Sequence, residues 1–272
     1  MRILIGHDGS NYADAAIEDL QRAGLPEQVE ALIVTVGESP VVFPLASPEF
    51  SEQKFAGEKV RSIVDHANRQ AAASLSEEQV FVQNAAAKLS SCFPSWRVGS
   101  EVVTGTPANE LIRKAREWDA ELIVVGTQGL SALGRFILGS VSQEVVRDAH
   151  CSVRVGRSTT KTDRAGVKVL VGLDLSRSTE HVLRRVLQRS WPAGSELRVV
   201  TGDEITSGGW RSNGVFRDIF VGDLRVSAAT VKGDTEEILL AEAHRMEADC
   251  IVIGSGLAAV AANAECSVEI VR

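Results

Sequence analysis

The sequence lacks the segments that mark several broad classes of protein. Its apolar runs have the length of strands, so none is long enough to span a membrane. It has no long basic run, and its net charge of -7 argues against nucleic acid as a general partner. The opening residues, MRILIGHDGS, enter a strand at once and lack the layout of a signal peptide. The four cysteines form no CxxC pair, which fits reduced thiols. We therefore predict a soluble, cytoplasmic protein that binds neither membranes nor nucleic acid.

The common motifs of catalysis are missing too. The sequence contains no G-x-S-x-G elbow, no Walker G-x4-G-K-[ST] loop, no HExxH, and no nucleophile–base constellation. His7 and His150 have no partner at a metal-ligand spacing. Cys151 and Cys266 each begin a closing strand, where buried small hydrophobes explain them better than reactive thiols. We predict no catalytic residue and no metal site.

What the sequence does contain is a repeat. Arg2–Ser10 (RILIGHDGS) matches Lys168–Ser176 (KVLVGLDLS), and each copy ends in an Asp followed by a Ser that can cap a helix. The segment GTPANELIRKAREWDAELIVVG, which starts at Gly105, matches GDTEEILLAEAHRMEADCIVIG, which starts at Gly233. The copies finish with CSVRVGR and CSVEIVR. Since 272 residues suffice for two ordinary domains, we predict domains at residues 1–157 and 167–272, joined by a polar linker at 158–166.

The order of elements predicts the fold class. In the first copy, apolar strands alternate with helical segments, which is typical of a parallel sheet covered on both faces. Residues 47–89 are long for one crossover and are predicted to hold two helices, the second starting at a Ser76–Gln79 capping box. Thr206–Phe220 is predicted to be irregular. We expect an α/β protein of two tandem doubly wound domains, each with a parallel five-stranded core and the second copy reduced. The predicted first-copy strands are Ile3–Gly6, Ala31–Val36, Arg97–Val103, Leu122–Val125 and Ser152–Val155.

A glycine pattern at the end of one strand is the strongest functional signal. Residues 122–140, LIVVGTQGLSALGRFILGS, contain the spacing G-x2-G-x9-G-S, formed by Gly126, Gly129, Gly139 and Ser140. Glycine permits positive φ and a close approach of a ligand to the main chain, and a helix start favours an anion. A structural alternative is that the glycines only shape a loop while Ser140 and Gln143 form a capping box. Both roles are compatible, and the second copy is too short after Gly254 to rebuild the loop.

These residues resemble the universal stress proteins in their tandem form, closely over residues 1–157 and in degraded form from residue 168 onward. The resemblance implies an adenine nucleotide alpha hydrolase-like fold that binds ATP, or ADP or AMP, with or without magnesium. Asp8 and the Val36 backbone would contact the base and ribose, Gly126 would lie beneath the ribose, and Gly129 would meet the phosphates. Gln128 and Leu130 stand where relatives often carry His and a basic residue, which leaves a weaker site or fewer phosphates open. The predicted nucleotide-binding residues are Gly6, His7, Asp8, Val36, Val125, Gly126, Gly129, Gly139, Ser140, Val141 and Ser142.

The interpretation that follows is an ATP-binding stress-response or signalling protein with its nucleotide in the first half only. The second half would be a structural or regulatory pseudo-domain. The closing strands Val153–Val155 and Val268–Ile270 are candidate sheet edges that would cover each other, and a further homodimer remains open. Two other functions also remain open: a slow ATPase or self-phosphorylating enzyme, and a structural interaction protein whose loop is a vestige.

Overall fold

The computed structural model describes residues 1–37, 77–128, 138–158, 165–174, 179–202, 217–221, 224–231 and 233–272. Strands and helices alternate through the first half, as the sequence predicts. Residues 77–92 are helical and form α2. The other elements of this half are β1 (Arg2–Gly6), α1 (Asn11–Asp19), a 3-10 turn (Leu20–Arg22), β2 (Glu30–Gly37), β3 (Arg97–Thr104), α3 (Pro107–Glu117), β4 (Leu122–Gly126), α4 (Ser140–Asp148) and β5 (Ser152–Gly156).

The second half repeats this order with shorter helices near its end. Its fifth strand, the counterpart of β4, is followed by a 3-10 turn and a helix of only four residues, where the first half has the nine-residue α4. The elements are β6 (Lys168–Leu173), α5 (Thr179–Leu187), β7 (Glu196–Gly202), β8 (Arg217–Val221), β9 (Leu224–Val231), α6 (Thr235–Met246), β10 (Cys250–Gly254), a 3-10 turn (Ser255–Leu257), α7 (Val260–Asn263) and β11 (Ser267–Val271).

All the described strands belong to one sheet, in the order β3-β2-β1-β4-β5-β11-β10-β6-β7-β9-β8. Within each half the five core strands are parallel and follow the same order, β3-β2-β1-β4-β5 and β9-β7-β6-β10-β11. The predicted fold class, two tandem doubly wound α/β units, is confirmed. One prediction is wrong in part: Thr206–Phe220 is not irregular throughout, because Arg217–Val221 adds an antiparallel edge strand to β9.

Helices cover both faces of the sheet, so the strands are apolar on both sides. Successive residues of a strand point to opposite faces. Leu4 accordingly packs with α3 and α4 residues, whereas Ile3 and Ile5 pack with residues of α1 and α2. Both β4 and β10 are buried along their whole length. The core on the Leu4 side continues from the first half into the second, which makes the sheet one packed body.

The two halves meet through their closing strands. β5 and β11 pair antiparallel, with Val155 opposite Val268, Arg154 opposite Glu269 and Val153 opposite Ile270. Each strand thereby gains a hydrogen-bonded neighbour on the side that would otherwise be an open edge. Among the described residues, no helix is both long and apolar enough to cross a membrane.

Helix starts confirm one sequence signal and leave another outside the described residues. The Ser10 side chain caps α1 by accepting the amide of Ala13 at 3.2 Å, as the Asp-x-Ser pattern predicts. The hydroxyl of an N-cap serine satisfies a donor that has no partner within the helix. Ser76 of the predicted capping box lies outside the described residues.

Candidate functional site

The predicted site residues lie where β1, β2 and β4 end and where α1 and α4 begin. In a parallel sheet this carboxyl edge is where ligands bind. Gly6 ends β1, Val36 lies one residue before the end of β2, and Gly126 ends β4. Gly139, Ser140, Val141 and Ser142 lie at the start of α4. Gly129 and the rest of residues 129–137 lie outside the described residues.

The turn after β1 presents an exposed carboxylate. Asp8 is exposed, and its Oδ1 accepts the Ser10 amide at 3.1 Å, which closes the turn into α1. Gly9 between them has φ +80°, a conformation that side-chain-bearing residues rarely adopt. The turn is thus built to hold Asp8 at the surface beside the start of α1.

His7 has a different placement from the one expected of a ligand contact. It is 7% exposed, and its Nδ1 accepts the Gly9 amide at 3.2 Å while its Nε2 lies 3.4 Å from Oδ1 of Asp14. Its backbone carbonyl accepts the Thr35 hydroxyl at 2.8 Å. The ring and carbonyl therefore hold the Asp8 turn against β2 and α1. Sequence reasoning missed Asp14, because an exposed-looking helix carboxylate carries no signal of this contact.

Gly126 is required by packing. A Cβ at this position would lie 2.8 Å from the backbone carbon and oxygen of Tyr12 and 3.0 Å from the Ala13 amide nitrogen. Real Cβ atoms do not approach backbone that closely, so the glycine lets the start of α1 lie directly on β4. Gly126 is not among the glycines with positive φ. The sequence argument for positive φ is therefore wrong at Gly126. The close approach that the structure does show there is that of α1, and the approach of a ligand stays a prediction.

The start of α4 is tied to the end of β4. The Ser142 hydroxyl donates to the Gly126 carbonyl at 2.6 Å, and the Gly139 amide donates to the Thr127 carbonyl at 2.6 Å. Ser142 is buried and serves this link, while Ser140 is exposed at the helix start. The two bonds place the first turn of α4 beside the strand end.

The predicted Ser140–Gln143 capping box is wrong. The N-cap of α4 is Gly139, with extended φ -65° and ψ 158° and no side-chain cap bond, so Ser140 is the first helical residue. The side-chain Nε2 of Gln143 donates instead to the Leu138 carbonyl at 2.7 Å. The first amides of a helix have no partner within it, and the dipole there favours negative charge. A helix start without a side-chain cap keeps those amides available to an anion.

The corresponding edge of the second half is arranged differently. Asp174, the repeat equivalent of Asp8, is half-buried, and its Oδ2 lies 2.2 Å from where a Cβ of Gly256 would be. The carboxylate therefore rests against the Ser255–Leu257 turn. At the corresponding edge of the first half, the structure describes the exposed Asp8 and the start of α4.

Other candidate chemistry is absent from the part of the chain that the structure describes. No group of three or more His, Cys, Asp or Glu side chains there could hold a metal ion. Cys151 and Cys266 are buried as predicted, and burial raises the pKa of their thiols to about 11 and about 12. Both thiols are therefore neutral near pH 7 and poor nucleophiles.

Fold and site together define a class: a tandem α/β protein with a helix start at the carboxyl edge of the first half of its sheet. The universal stress protein family model matches residues 1–157, which is more than half of the chain. The chain belongs to the universal stress protein family.

Curated relatives match parts of the chain. A universal stress protein of Methanocaldococcus jannaschii is 38% identical over 81 residues, covering 29% of this chain and 48% of the relative. One of Mycobacterium bovis is 37% identical over 105 residues, covering 38% of this chain and 35% of the relative. One of Thermus aquaticus is 28% identical over 155 residues, covering 57% of this chain and 97% of the relative. The chain thus spans less than half the length of the first two.

Solved structures match the whole chain. A universal stress protein from Archaeoglobus fulgidus has a TM-score of 0.65 at 16% identity, covering 100% of this chain and 98% of its own. A putative universal stress protein from Pseudomonas aeruginosa has a TM-score of 0.53 at 14% identity, covering 99% and 92%. At such low identity the likeness establishes the fold alone, and it extends over both halves.

Proposed function

We propose that this protein is an adenine-nucleotide-binding stress-response or signalling protein whose nucleotide, ATP or a related adenine nucleotide, binds in the first half only. Residues 1–157 would form the binding domain and residues 167–272 a structural or regulatory pseudo-domain. The pairing of β5 with β11 would keep the two together as an internal pseudo-dimer. Nucleotide occupancy would then be sensed by partners of the whole molecule.

The observation that carries this proposal is the start of α4. The amides of Ser140, Val141 and Ser142 begin a helix whose N-cap is a glycine, and no side chain of the described residues caps this start. Helix starts of this kind accept phosphate groups through backbone N–H groups and the helix dipole. Two short bonds from Gly139 and Ser142 hold this start against the end of β4. The start of α4 is therefore positioned beside the strand end by protein contacts alone.

A second observation supports the restriction to one half. Asp8 is exposed at its turn, whereas Asp174 lies against the Gly256 turn, and α7 is less than half as long as α4. Among the described residues at this edge, the second half therefore has neither an exposed equivalent of Asp8 nor a helix as long as α4. If both Asp residues served only the fold, their environments would have no reason to differ in this way.

The first experiment identifies the small molecule released when the purified protein is denatured, by mass spectrometry. We expect an adenine nucleotide near one per chain. Protein that releases nothing and shows no thermal shift with adenine nucleotides would contradict the proposal. The glycine loop would then be scaffold, and a structural interaction protein would be the better interpretation.

A matched pair of variants tests the site itself. Asp8→Asn keeps an oxygen for the Ser10 amide but removes the charge, so we expect nucleotide affinity to fall roughly tenfold or more. Asp174→Asn makes the same change at the repeat equivalent and should leave affinity within about twofold. Ser140→Glu places a carboxylate at the helix start, which stabilises the helix while repelling phosphate. Equal effects of the two Asn variants, or full affinity in Ser140→Glu, would overturn the assignment.

A further inference from the structure

A buried ion pair lies at the centre of the contact between the two halves. Arg154 on β5 and Glu269 on β11 are register partners, and their side chains meet at 3.2 Å between Nη1 and Oε2. Both side chains are 1% exposed. Charged groups are rarely buried this deeply unless they are paired, and here each charge is buried against its partner.

Each half also supplies a partner of opposite sign for its own charge. In the first half, Asp19 at the end of α1 accepts Nε of Arg154 at 2.6 Å. In the second half, Arg189, which follows α5, binds the other carboxylate oxygen of Glu269. The result is a chain of alternating charges, Asp19–Arg154–Glu269–Arg189, that crosses from one half to the other. The net charge of these four residues is zero.

The internal repeat relates the two residues of this ion pair to each other. The closing strands CSVRVGR (Cys151–Arg157) and CSVEIVR (Cys266–Arg272) align position by position, so Arg154 and Glu269 are equivalent residues. The register is two-fold symmetric, because Val153 faces Ile270 and Val155 faces Val268 around the central pair. In a two-fold interface, a residue on the axis faces its own equivalent. Two first halves paired in this way would therefore set Arg154 against Arg154, and two second halves would set Glu269 against Glu269.

We propose that Arg154 and Glu269 make the closing-strand interface selective for one first half with one second half, and against two copies of the same half. Burying like charges face to face is strongly unfavourable, and specific interfaces use such repulsion to reject wrong partners. The strands on either side of the pair are almost identical apolar edges, Val153 and Val155 against Val268 and Ile270. The shape of these strand edges would not distinguish the two halves, whereas the charge at the axis would.

The test measures which halves associate with each other after the intact chain has folded and has been cleaved. A protease site is placed within residues 159–164, the folded protein is cleaved there, and the product is mixed with an isotope-labelled copy in sub-denaturing urea. Native mass spectrometry then reports which halves associate. Mixed labelled and unlabelled pairs prove that exchange has taken place. For the wild type we expect pairs of one first half and one second half, without homodimers of either.

The decisive variant is Arg154→Leu with Glu269→Leu, which removes the charge at the axis from both strands. We expect the ratio of homodimers to mixed pairs to rise roughly tenfold or more. A matched control, Arg113→Leu with Glu117→Leu, removes an exposed ion pair of α3 and should leave the ratio unchanged. Should the leucine pair fail to fold, glutamine at both positions removes the same charges while keeping hydrogen-bonding groups. Homodimers in the wild type, or none in the neutral variants despite exchange, would overturn the proposal.

Discussion

The two halves of this protein share a sheet order but differ at the edge where a ligand would bind. In the first half an exposed Asp8 and the open start of the nine-residue α4 lie at this edge. In the second half Asp174 packs on the Gly256 turn, and α7 has four residues. Since the second half forms the same parallel sheet without these features, they are not needed to build the fold.

The comparison of the two halves also distinguishes glycines that are needed for packing from the glycine at the proposed binding site. Gly6 and Gly172 are equivalent, and a Cβ at either would meet an equivalent leucine, Leu111 of α3 or Leu239 of α6. These glycines belong to the shared fold. The start of the nine-residue α4 at Gly139, by contrast, corresponds in the second half only to the start of the four-residue α7. This difference in helix length is why the start of α4 carries the functional proposal.

Variants that exchange residues between the halves, or that remove the charges joining them, test this comparison at single positions. The largest effect is expected at Glu269, the second-half equivalent of Arg154. Glu269→Gln leaves Arg154 and Arg189 buried without their carboxylate, and removing one partner of a buried pair costs about 3–5 kcal/mol. Urea unfolding at pH 7 measures this loss. The control Glu265→Gln removes an exposed carboxylate beside His244 and should cost about 1 kcal/mol or less.

The same variant has a predictable pH dependence. Burial by itself would raise the pKa of Glu269, but the charges of Arg189 and Arg154 outweigh it and lower that pKa below its usual value. A lowered carboxyl pKa stabilises the fold above the unfolded value of about 4.3, and this stabilisation disappears as pH falls through the folded pKa. The difference between wild type and Glu269→Gln should therefore shrink as pH falls below about 4. A difference that stays constant into acid would contradict the charge argument.

Much of the fold could be predicted from the sequence because its signals are local. The apolar strands, the repeat and the Ser10 cap all depend on neighbouring residues or on internal similarity, and the structure agrees with them. The edge strand Arg217–Val221 was missed because it follows no repeat equivalent. The ion pair of Arg154 and Glu269 was missed because a charged residue inside an apolar strand does not reveal its partner, which lies 115 positions away.

The next largest effect is expected at Gly156, whose repeat equivalent is Val271. A Cβ at Gly156 would lie 2.6 Å from Cα and 2.7 Å from Cβ of Ala16, because α1 lies directly on β5. Gly156→Val, which gives the first half the residue of the second, should therefore cost about 1–3 kcal/mol through overpacking. Thermal and urea unfolding measure it. Gly99→Val is the control, since its nearest contact would be an ordinary 3.5 Å to Leu32, and a stability close to wild type is expected there.

The candidate site could be predicted only in part. The strand ends and the helix start were located correctly, because Gly126 and Gly139 mark the boundaries of apolar segments in the sequence. The contacts of individual side chains could not be predicted. The bond from Ser142 to the Gly126 carbonyl and the contacts of His7 with Gly9 and Asp14 depend on how β4, α1 and α4 pack together. The capping box at Ser140 failed because the helix begins there and not one residue later.

The smallest effect is expected at an equivalent pair of helix starts, Thr106 before α3 and Asp234 before α6. Both have similar extended backbone, φ -82° and ψ 120° against φ -66° and ψ 117°. The Asp234 carboxylate accepts the amides of Glu236 and Glu237, whereas Thr106 makes no side-chain cap bond.

Thr106→Asp should therefore give the first half the cap that the second already has. We expect a gain of about 0.5–1 kcal/mol, measured as a higher urea midpoint with an unchanged slope. Asp234→Ala is the reciprocal change and should cost about 1 kcal/mol. If Thr106→Asp destabilises while Asp234→Ala behaves as expected, the two helix starts are not equivalent in their surroundings.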